Sequence, residues 1–168
     1  AKTQDAFGRL SEQFYNHQWT KLYLAYCYDL GNQDKGIIDI PIAHHPRKAK
    51  KMVLVQNNTL YRGKPQPCAT WFEKISNQQA REIWMRCLSN KISFPIFTVD
   101  NRRFTWIWCK ITRGKRHQIR LHLRSVGYPI LGDTLYKPPM KYQTDWADHH
   151  ALYAVGLCSL LNKIIVVG

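Results

Sequence analysis

The sequence is poor in acidic residues. Asp and Glu together number 11 among 168 residues, against 25 Lys and Arg, so the formal net charge is +14. A chain with so few carboxylates is a poor partner for cationic ligands and favours a polyanion, nucleic acid first. The alternative is a basic surface with no particular partner.

The sequence also lacks paired cysteines. No two of its five cysteines are close enough to form a CxxC motif. The odd number and wide spacing argue against both a zinc site and a disulfide framework. We therefore expect reduced, mostly buried thiols and a reducing compartment. The cysteines are Cys27, Cys68, Cys87, Cys109 and Cys158.

The sequence also contains no signal peptide, no apolar run long enough to span a membrane, no repeat and no low-complexity segment. The most apolar stretch, residues 157–168, is short, contains Lys163 and predicts one or two buried strands. The length fits one domain. Because the sequence begins with Ala1 and enters a helical pattern at once, we expect a fragment of a longer protein.

Hydrophobic periodicity predicts an α+β fold with a largely antiparallel sheet. Residues 4–17 have helical spacing that places Phe7, Leu10 and Phe14 on a core. The other helical segments are 77–91 and 117–126. Strands are predicted at 21–28, 37–42, 52–55, 68–75 and 104–111, with the strand at 37–42 broken by Pro41, and 147–161 predicts a strand or a short helix. The loops predicted between them include 57–67 and 93–103.

A cationic strip, "RGKRHQIRLH" at 113–122, lies where a predicted strand gives way to a helix. Gly114 permits a tight turn there. The first helical turn presents free N–H groups, which suit an anion. The strip therefore predicts a phosphate or carboxylate site, and the alternative is a solvated basic face. Its cations are Arg113, Lys115, Arg116 and Arg120.

A second basic cluster, "HHPRKAKK" at 44–51, falls in a predicted loop. Either the loop contacts phosphates, which positions nucleic acid without reading its sequence, or it is a plain surface loop. Its candidate contacts are His45, Arg47, Lys50 and Lys51.

Tyr23 lies in the middle of a predicted strand. It is either a core aromatic or a side chain that stacks on an unpaired base.

Five segments, in order, resemble the RluA-type RNA pseudouridine synthases. The most specific is the block 113–136, which is similar to the family's T-G-R-x-H-Q-I-R-x-H pattern followed by G-x-P-I-x-G-D-x-x-Y. The segments are "KLYLAYCYD", "GIIDIPIAHHPRKAKKMVLV", "GKPQPCATWFEKI", "RGKRHQIRLHLRSVGYPILGDTLY" and "HHALYA".

The resemblance implies a mixed, mainly antiparallel bent sheet with flanking helices, and an active cleft across its middle. It implies isomerisation of uridine to pseudouridine in rRNA or tRNA, without a cofactor or a metal. In the family an aspartate is the nucleophile on a flipped-out uridine. A Tyr stacks on the base and takes part in proton removal, a cation pairs with the aspartate and lowers its pKa, and an apolar residue lines the base pocket.

By residue, these roles fall on Tyr23, Lys115 and Leu152 of this sequence. His117, Gln118 and Arg120 match the motif and are expected to be structural as much as RNA-contacting. Lys115 stands where the family has Arg, so it would pair with a carboxylate as a point charge, without the bidentate fork.

The nucleophile's motif, His-Arg-Leu-Asp, does not occur in the 168 residues, although the opening Ala-Lys resembles its tail. Asp5 and Asp133 do not substitute for it, so the resemblance places the nucleophilic aspartate upstream of Ala1. It therefore implies a synthase domain that is incomplete at its N-terminus and inactive alone. This partial domain occupies 1–168, and no second domain is visible within these residues. Residues 77–101 are longer than the family's usual connection.

Two other hypotheses remain open at the level of sequence. The chain is either a non-catalytic RNA-binding protein on the synthase scaffold, such as a ribosome-assembly factor, or a generic basic module for DNA. We expect a monomer that binds RNA and no membrane, located in a bacterial-type cytoplasm, or in an organelle if eukaryotic.

Overall fold

The computed structural model describes residues 3–15, 19–88, 93–95, 103–140, 149–159 and 164–166. Within these ranges the chain forms three helices and nine strands. The helices are α1 (Gln4–Tyr15), α2 (Asn77–Leu88) and α3 (Gln118–Ser125). The strands are β1 (Trp19–Tyr28), β2 (Lys35–Asp39), β3 (Ile42–His44), β4 (Met52–Leu54), β5 (Arg62–Gln66), β6 (Ala69–Ile75), β7 (Phe104–Ile111), β8 (Leu152–Ser159) and β9 (Ile164–Val166).

The strands form two antiparallel sheets. The larger one has six strands in the order β2-β6-β7-β1-β8-β9, and the smaller one has three in the order β4-β3-β5. This arrangement confirms the predicted α+β class and its mainly antiparallel sheet. The strand predicted at 104–111 is β7, with the same boundaries.

One side of the large sheet, here called the α2 face, carries the aromatic core. Tyr26 packs on Trp106 of the neighbouring strand, with ring centroids 4.9 Å apart. Helix α2 covers this face through Trp84, whose ring lies 5.0 Å from that of Tyr153 on β8. Residues 77–101, which the family resemblance marked as unusually long, therefore contribute a helix that buries part of the sheet.

The opposite side, here called the α3 face, packs against α3. Alternation places Tyr23 on this face with its β7 partner Cys109. Phe72 of β6, also paired with Cys109, belongs to the same core as Ile119 and Leu123 of α3. The sheet is thus buried on both sides near its centre, which explains why its middle strands show long apolar runs.

The strand predicted at 37–42, with a break at Pro41, is interrupted there, and its two parts lie in different sheets. β2 ends at Asp39, and β3 begins at Ile42 in the smaller sheet. Pro41 stands between them and has no N–H to donate to a ladder.

The loop predicted at 57–67 contains β5, which pairs with β3 at the edge of the smaller sheet. Most of its side chains are polar or exposed, so its sequence has no alternation of apolar residues. Backbone hydrogen bonds rather than side-chain burial define this strand.

The helix predicted near the start of the chain and the strands predicted near its end are both present, although their details differ from the prediction. Helix α1 forms, but Phe7 is 59% exposed, so its predicted packing on a core is wrong. The side chains of Leu10 and Phe14, which were predicted to pack with it, lie outside the described residues. Residues 96–102, in the middle of the chain, also lie outside them, so most of the predicted loop 93–103 is not described. Residues 147–161 contribute strand β8 rather than a helix, and β9 confirms a further strand within 157–168.

Gly127, which follows α3, fixes the close approach of two loops. Its φ is +91°, and a Cβ placed there would lie 2.6 Å from the Cα of Gly31. The Gly127 carbonyl accepts a hydrogen bond from the N–H of Leu30 at 3.0 Å. Both the left-handed backbone and the contact therefore require a residue without a side chain.

We expect Gly127→Ala to destabilise the chain by at least about 1–2 kcal/mol, because it combines backbone strain with a backbone clash. Urea unfolding followed by circular dichroism measures the change. Gly8→Ala is the matched control, since a Cβ at Gly8 meets nothing within 4 Å and alanine favours a helix interior. Equal unfolding midpoints for the two variants would contradict this account.

Candidate functional site

Tyr23 occupies the middle of β1, between β7 and β8. It is opposite Cys109 on one side and Ala154 on the other, and the β1–β8 register shifts between Leu22 and Tyr23. Such irregularities re-aim side chains and are frequent beside functional sites. The Tyr23 side chain is half-buried, and burial raises the pKa of its phenol.

Leu152 begins β8 opposite Ala25, two residues along β1 from Tyr23. Because paired residues share a face, Leu152 and Tyr23 are diagonal neighbours on the α3 face. Such neighbours have Cα atoms about 7–8 Å apart, within reach of an aromatic ring. The structure thus brings together two of the three predicted catalytic residues.

Lys115 lies in the segment that joins β7 to α3. Its backbone N–H donates to Oε1 of Gln118 at 2.9 Å, and its carbonyl accepts from the Gln118 N–H at 3.1 Å. A Cβ at Gly114 would lie 3.4 Å from Nζ of Lys21, which is two residues before Tyr23 on the same face. The loop carrying Lys115 therefore lies on the same side of the sheet as Tyr23 and Leu152.

Lys21 is a cation on the Tyr23 side of the sheet that the sequence analysis did not select. Its signal was present in the "KLY" triplet, since residues two apart on a strand share a face.

Gln118 is structural. It is 2% exposed, and its Nε2 donates to the carbonyl of Ala69 at 2.9 Å and to Oγ1 of Thr70 at 3.0 Å. Together with the bond from the Lys115 N–H, these contacts tie α3 to β6 and fix the preceding loop. The RNA contact predicted for Gln118 is not available to a side chain buried in this way.

His122 extends the same network in the interior. Its Nε2 lies 2.9 Å from the Ile40 carbonyl, which can only accept, so Nε2 carries the proton. Nδ1 then accepts from the hydroxyl of Thr70 at 2.8 Å. Burial lowers the pKa of His122, in agreement with a neutral ring.

Arg120 forms a bidentate ion pair with Asp133. Nε donates to Oδ2 at 2.7 Å and Nη2 to Oδ1 at 2.6 Å, with side-chain exposures of 12% and 0%. Burial alone would raise the pKa of Asp133, but the hydrogen bonds from Arg120 and the Tyr136 N–H hold it below its ordinary value. Arg120 thus acts inside the fold in this structure.

The nucleophilic aspartate upstream of Ala1 stays a prediction. Ala1 itself lies outside the described residues. Two aspartates that the sequence analysis excluded as the nucleophile are among the described residues. Asp5 lies in the first turn of α1, and Asp133 forms its ion pair with Arg120. The Asp133 side chain is buried and its carboxylate accepts four hydrogen bonds, so a substrate cannot reach it, which agrees with its exclusion as a nucleophile.

Tyr136 connects the Arg120 pair to the smaller sheet. Its hydroxyl accepts from the Met52 N–H at 2.8 Å and lies 2.8 Å from Nδ1 of His117. The guanidinium of Arg120 is 5.0 Å from the centre of the Tyr136 ring, and Nζ of Lys51 is 6.0 Å from it. The two basic segments of the sequence therefore meet at one tyrosine.

The remaining predicted RNA contacts differ in exposure. Nδ1 of His45 accepts from the N–H groups of Arg47 and Lys48, both at 3.1 Å, so His45 shapes its loop. Lys51 and His117 are half-buried. The exposed cations among the predicted contacts are Arg47, Lys50, Arg113 and Arg116.

All five cysteines are free thiols, four of them buried, as predicted. Within the described ranges, no three His, Cys, Asp or Glu side chains come together as ligands of a metal ion would. No helix among these residues has the length and apolar character needed to cross a membrane.

Comparison with known proteins decides the family. The model of the family described as RNA pseudouridylate synthase matches residues 1–125. The chain belongs to this family. The match includes Tyr23 and the loop with Lys115, and the RluA-type resemblance read from the motifs is confirmed.

Individual relatives agree. An uncharacterized RNA pseudouridine synthase of Aquifex aeolicus is 27% identical over 161 residues, which cover 96% of this chain and 41% of the relative. The ribosomal large subunit pseudouridine synthase D of Nitrosomonas europaea is 30% identical over 137 residues, covering 81% of this chain and 30% of the relative. The chain therefore spans less than half the length of these two relatives.

A solved structure shares the fold of this synthase-family chain. The human RNA pseudouridylate synthase domain containing 1 superposes with a TM-score of 0.71 at 18% identity, covering all of this chain and 62% of the human one.

We expect Arg120→Lys to destabilise this synthase-family domain by about 2 kcal/mol, because lysine keeps the positive charge but loses one of the two hydrogen bonds to a buried carboxylate. Urea unfolding measures the change. Lys74→Gln is the control, since its 2.7 Å pair with Asp29 is more exposed and should contribute no more than about 1 kcal/mol. A smaller loss for Arg120→Lys than for the control would contradict the role given to the Arg120 pair.

Stability should also fall as the pH drops below 6.5, the ordinary pKa of His122. The unfolded chain binds protons there, whereas burial lowers the pKa values of His117 and His122 in the fold. The unfolded state then holds more protons, so the free energy of unfolding decreases. The measurement is the thermal midpoint at about pH 7.5 and 5.5, values on either side of the ordinary histidine pKa.

In that experiment His122→Gln should show a smaller difference between the two pH values than the wild type. A wild-type midpoint that does not change across this range would contradict the neutral, hydrogen-bonded state assigned to His122.

Proposed function

We propose that this chain forms the base-holding and RNA-binding part of an enzyme that isomerises uridine to pseudouridine in structured rRNA or tRNA. The observation that carries the proposal is the family match over residues 1–125. Tyr23, Leu152 and the loop with Lys115 lie on one side of the sheet, and the excess of 14 positive charges suits a polyanion.

The reaction needs a base that has left the RNA stack. The nucleophilic aspartate forms a bond to the nucleotide, the bond between N1 and the ribose breaks, and the detached uracil turns. A new bond then joins C5 to the ribose and the bond to the aspartate breaks, which releases the carboxylate. C5 loses its proton, and N1 gains one. No atom is gained or lost overall, so the reaction requires neither an oxidant nor a co-substrate.

Tyr23 is proposed to stack on the uracil ring. Burial raises the pKa of its phenol, so the side chain is neutral near pH 7 and presents an apolar face. A neutral phenol accepts a proton from C5 only after losing its own. Its part in proton removal therefore depends on nearby positive charge, and Lys21, two residues away on the same face, is the proposed source.

Lys115 is proposed to pair with the nucleophilic carboxylate. A lysine provides a point charge rather than the two-pronged contact of an arginine, so the carboxylate must be oriented by other contacts. Leu152 is proposed to line the apolar side of the base pocket, since it lies diagonally across from Tyr23.

The cations outside the pocket are proposed to hold the RNA backbone. The exposed ones, Arg47, Lys50, Arg113 and Arg116, together with Lys51 contact phosphates, which fixes the register of the RNA. His45, His117, Gln118 and Arg120 act indirectly, because their hydrogen bonds hold these segments in place.

The 168 residues contain no His-Arg-Leu-Asp motif, so we propose that the nucleophile is supplied by residues preceding Ala1 and that this chain alone does not form pseudouridine. The protein is proposed to be a monomer that works without a cofactor, in the cytoplasm or an organelle, where its free cysteines remain reduced.

The test is a chimera that joins the His-Arg-Leu-Asp segment of a family member to Ala1 of this chain. Pseudouridine in bulk rRNA and tRNA is measured by mass spectrometry after digestion. The chimera should be active and the chain alone inactive. Tyr23→Phe in the chimera should lower the rate by at least about 100-fold, as expected for loss of an acid–base group.

Tyr61→Phe, on an exposed residue before β5, is the matched control and should leave the chimera's rate unchanged. A folded chimera that binds RNA but forms no pseudouridine would favour the alternative, a non-catalytic RNA-binding protein. Pseudouridine formed by the 168-residue chain itself would refute the proposed dependence on the missing motif.

A further inference from the structure

A groove lies between the smaller sheet and the C-terminal half of α3, with a volume of about 520 Å³. Neither Tyr23, Lys115 nor Leu152 lines it, so it is a separate feature from the candidate base pocket. Its walls come from three segments distant in sequence, within 45–54, 121–125 and 134–138.

The groove is positively charged. Four of its lining residues are basic, and no Asp or Glu lines it: the basic residues are His45, Lys51, Arg124 and Lys137. The nearby Asp133 is paired with Arg120 and its side chain is 0% exposed, so it presents no negative surface. An anionic ligand would therefore meet positive charge without an opposing carboxylate.

The groove also has an apolar floor, to which Leu54, Leu121 and Pro138 contribute next to the ring of Tyr136. A ligand that matches both parts needs a flat, weakly polar portion and an anionic portion. A nucleotide has this combination, with a base that packs on apolar and aromatic side chains and a phosphate that binds cations.

The walls of the groove are held in place before any ligand arrives. The Tyr136 hydroxyl accepts from the Met52 N–H of β4, and Nε of Arg124 donates to the Lys137 carbonyl at 3.2 Å. Oδ1 of Asp133 accepts from the N–H groups of Leu135 and Tyr136, both at 2.9 Å. A preformed site loses less conformational entropy on binding.

We propose that this groove binds a nucleotide of the substrate RNA away from the target uridine, with Arg124 and Lys137 on the phosphate. The inference rests on the proposed function, because it takes the anion to be part of an RNA strand. Arg124 and Lys137 thereby become RNA-contacting residues in addition to those of the two basic segments.

The test compares the 168-residue chain with the double variant Arg124→Gln/Lys137→Gln. Binding of a fluorescein-labelled stem–loop RNA with a uridine-rich loop is measured by anisotropy between about 50 and 200 mM KCl, a range over which phosphate contacts change affinity strongly. Loss of two phosphate contacts should make the slope of log affinity against log salt shallower by about 1.5.

Lys35→Gln/Arg86→Gln is the matched control, because it removes the same charge from exposed positions on β2 and α2. Its slope should equal that of the wild type. An unchanged slope in the groove variant, or equal decreases in both variants, would overturn the proposal. A wild-type chain that fails to bind the RNA at any of these salt concentrations would count against the proposed function itself. Thermal midpoints confirm that both variants fold.

Discussion

The buried pair of Arg120 and Asp133 organises the part of the molecule on which the proposed function depends. A buried ion pair stabilises a fold only when its remaining hydrogen-bonding capacity is satisfied. The carboxylate meets this condition, because it accepts two bonds from Arg120 and one each from the N–H groups of Leu135 and Tyr136. The pair thereby fixes the segment after α3, and with it the ring of Tyr136.

Tyr136 in turn holds both basic segments in position through its hydroxyl group. Its hydroxyl meets β4 through the Met52 N–H and the loop before α3 through His117. The second network, of Gln118, Thr70 and His122, anchors the same helix to β6 and to the Ile40 carbonyl. Polar groups that would be costly if unpaired are paired here, and they specify one position of α3 on the sheet.

The sequence was informative where burial and periodicity coincide. β7 was predicted with its boundaries because both of its faces are buried, and the candidate residues Tyr23, Lys115 and Leu152 could be named from the family resemblance. β5 could not be predicted, because backbone pairing alone defines it. The division at Pro41 was visible as a break but not as a change of sheet, since pairing partners are set by tertiary structure.

The role of each cation was harder to predict than the fold. The Arg and Lys residues of a basic run look alike in the sequence, whereas the structure places Arg120 in a buried ion pair and leaves Arg113 exposed to solvent. The groove could not be predicted from the sequence either. Lys51, Arg124 and Lys137 are distant in sequence and come together only when β4, α3 and the segment after α3 pack against each other. Net charge therefore indicates the class of partner, and the hydrogen-bond partners of each cation separate the cations that shape the fold from those that are left for the proposed contacts with RNA.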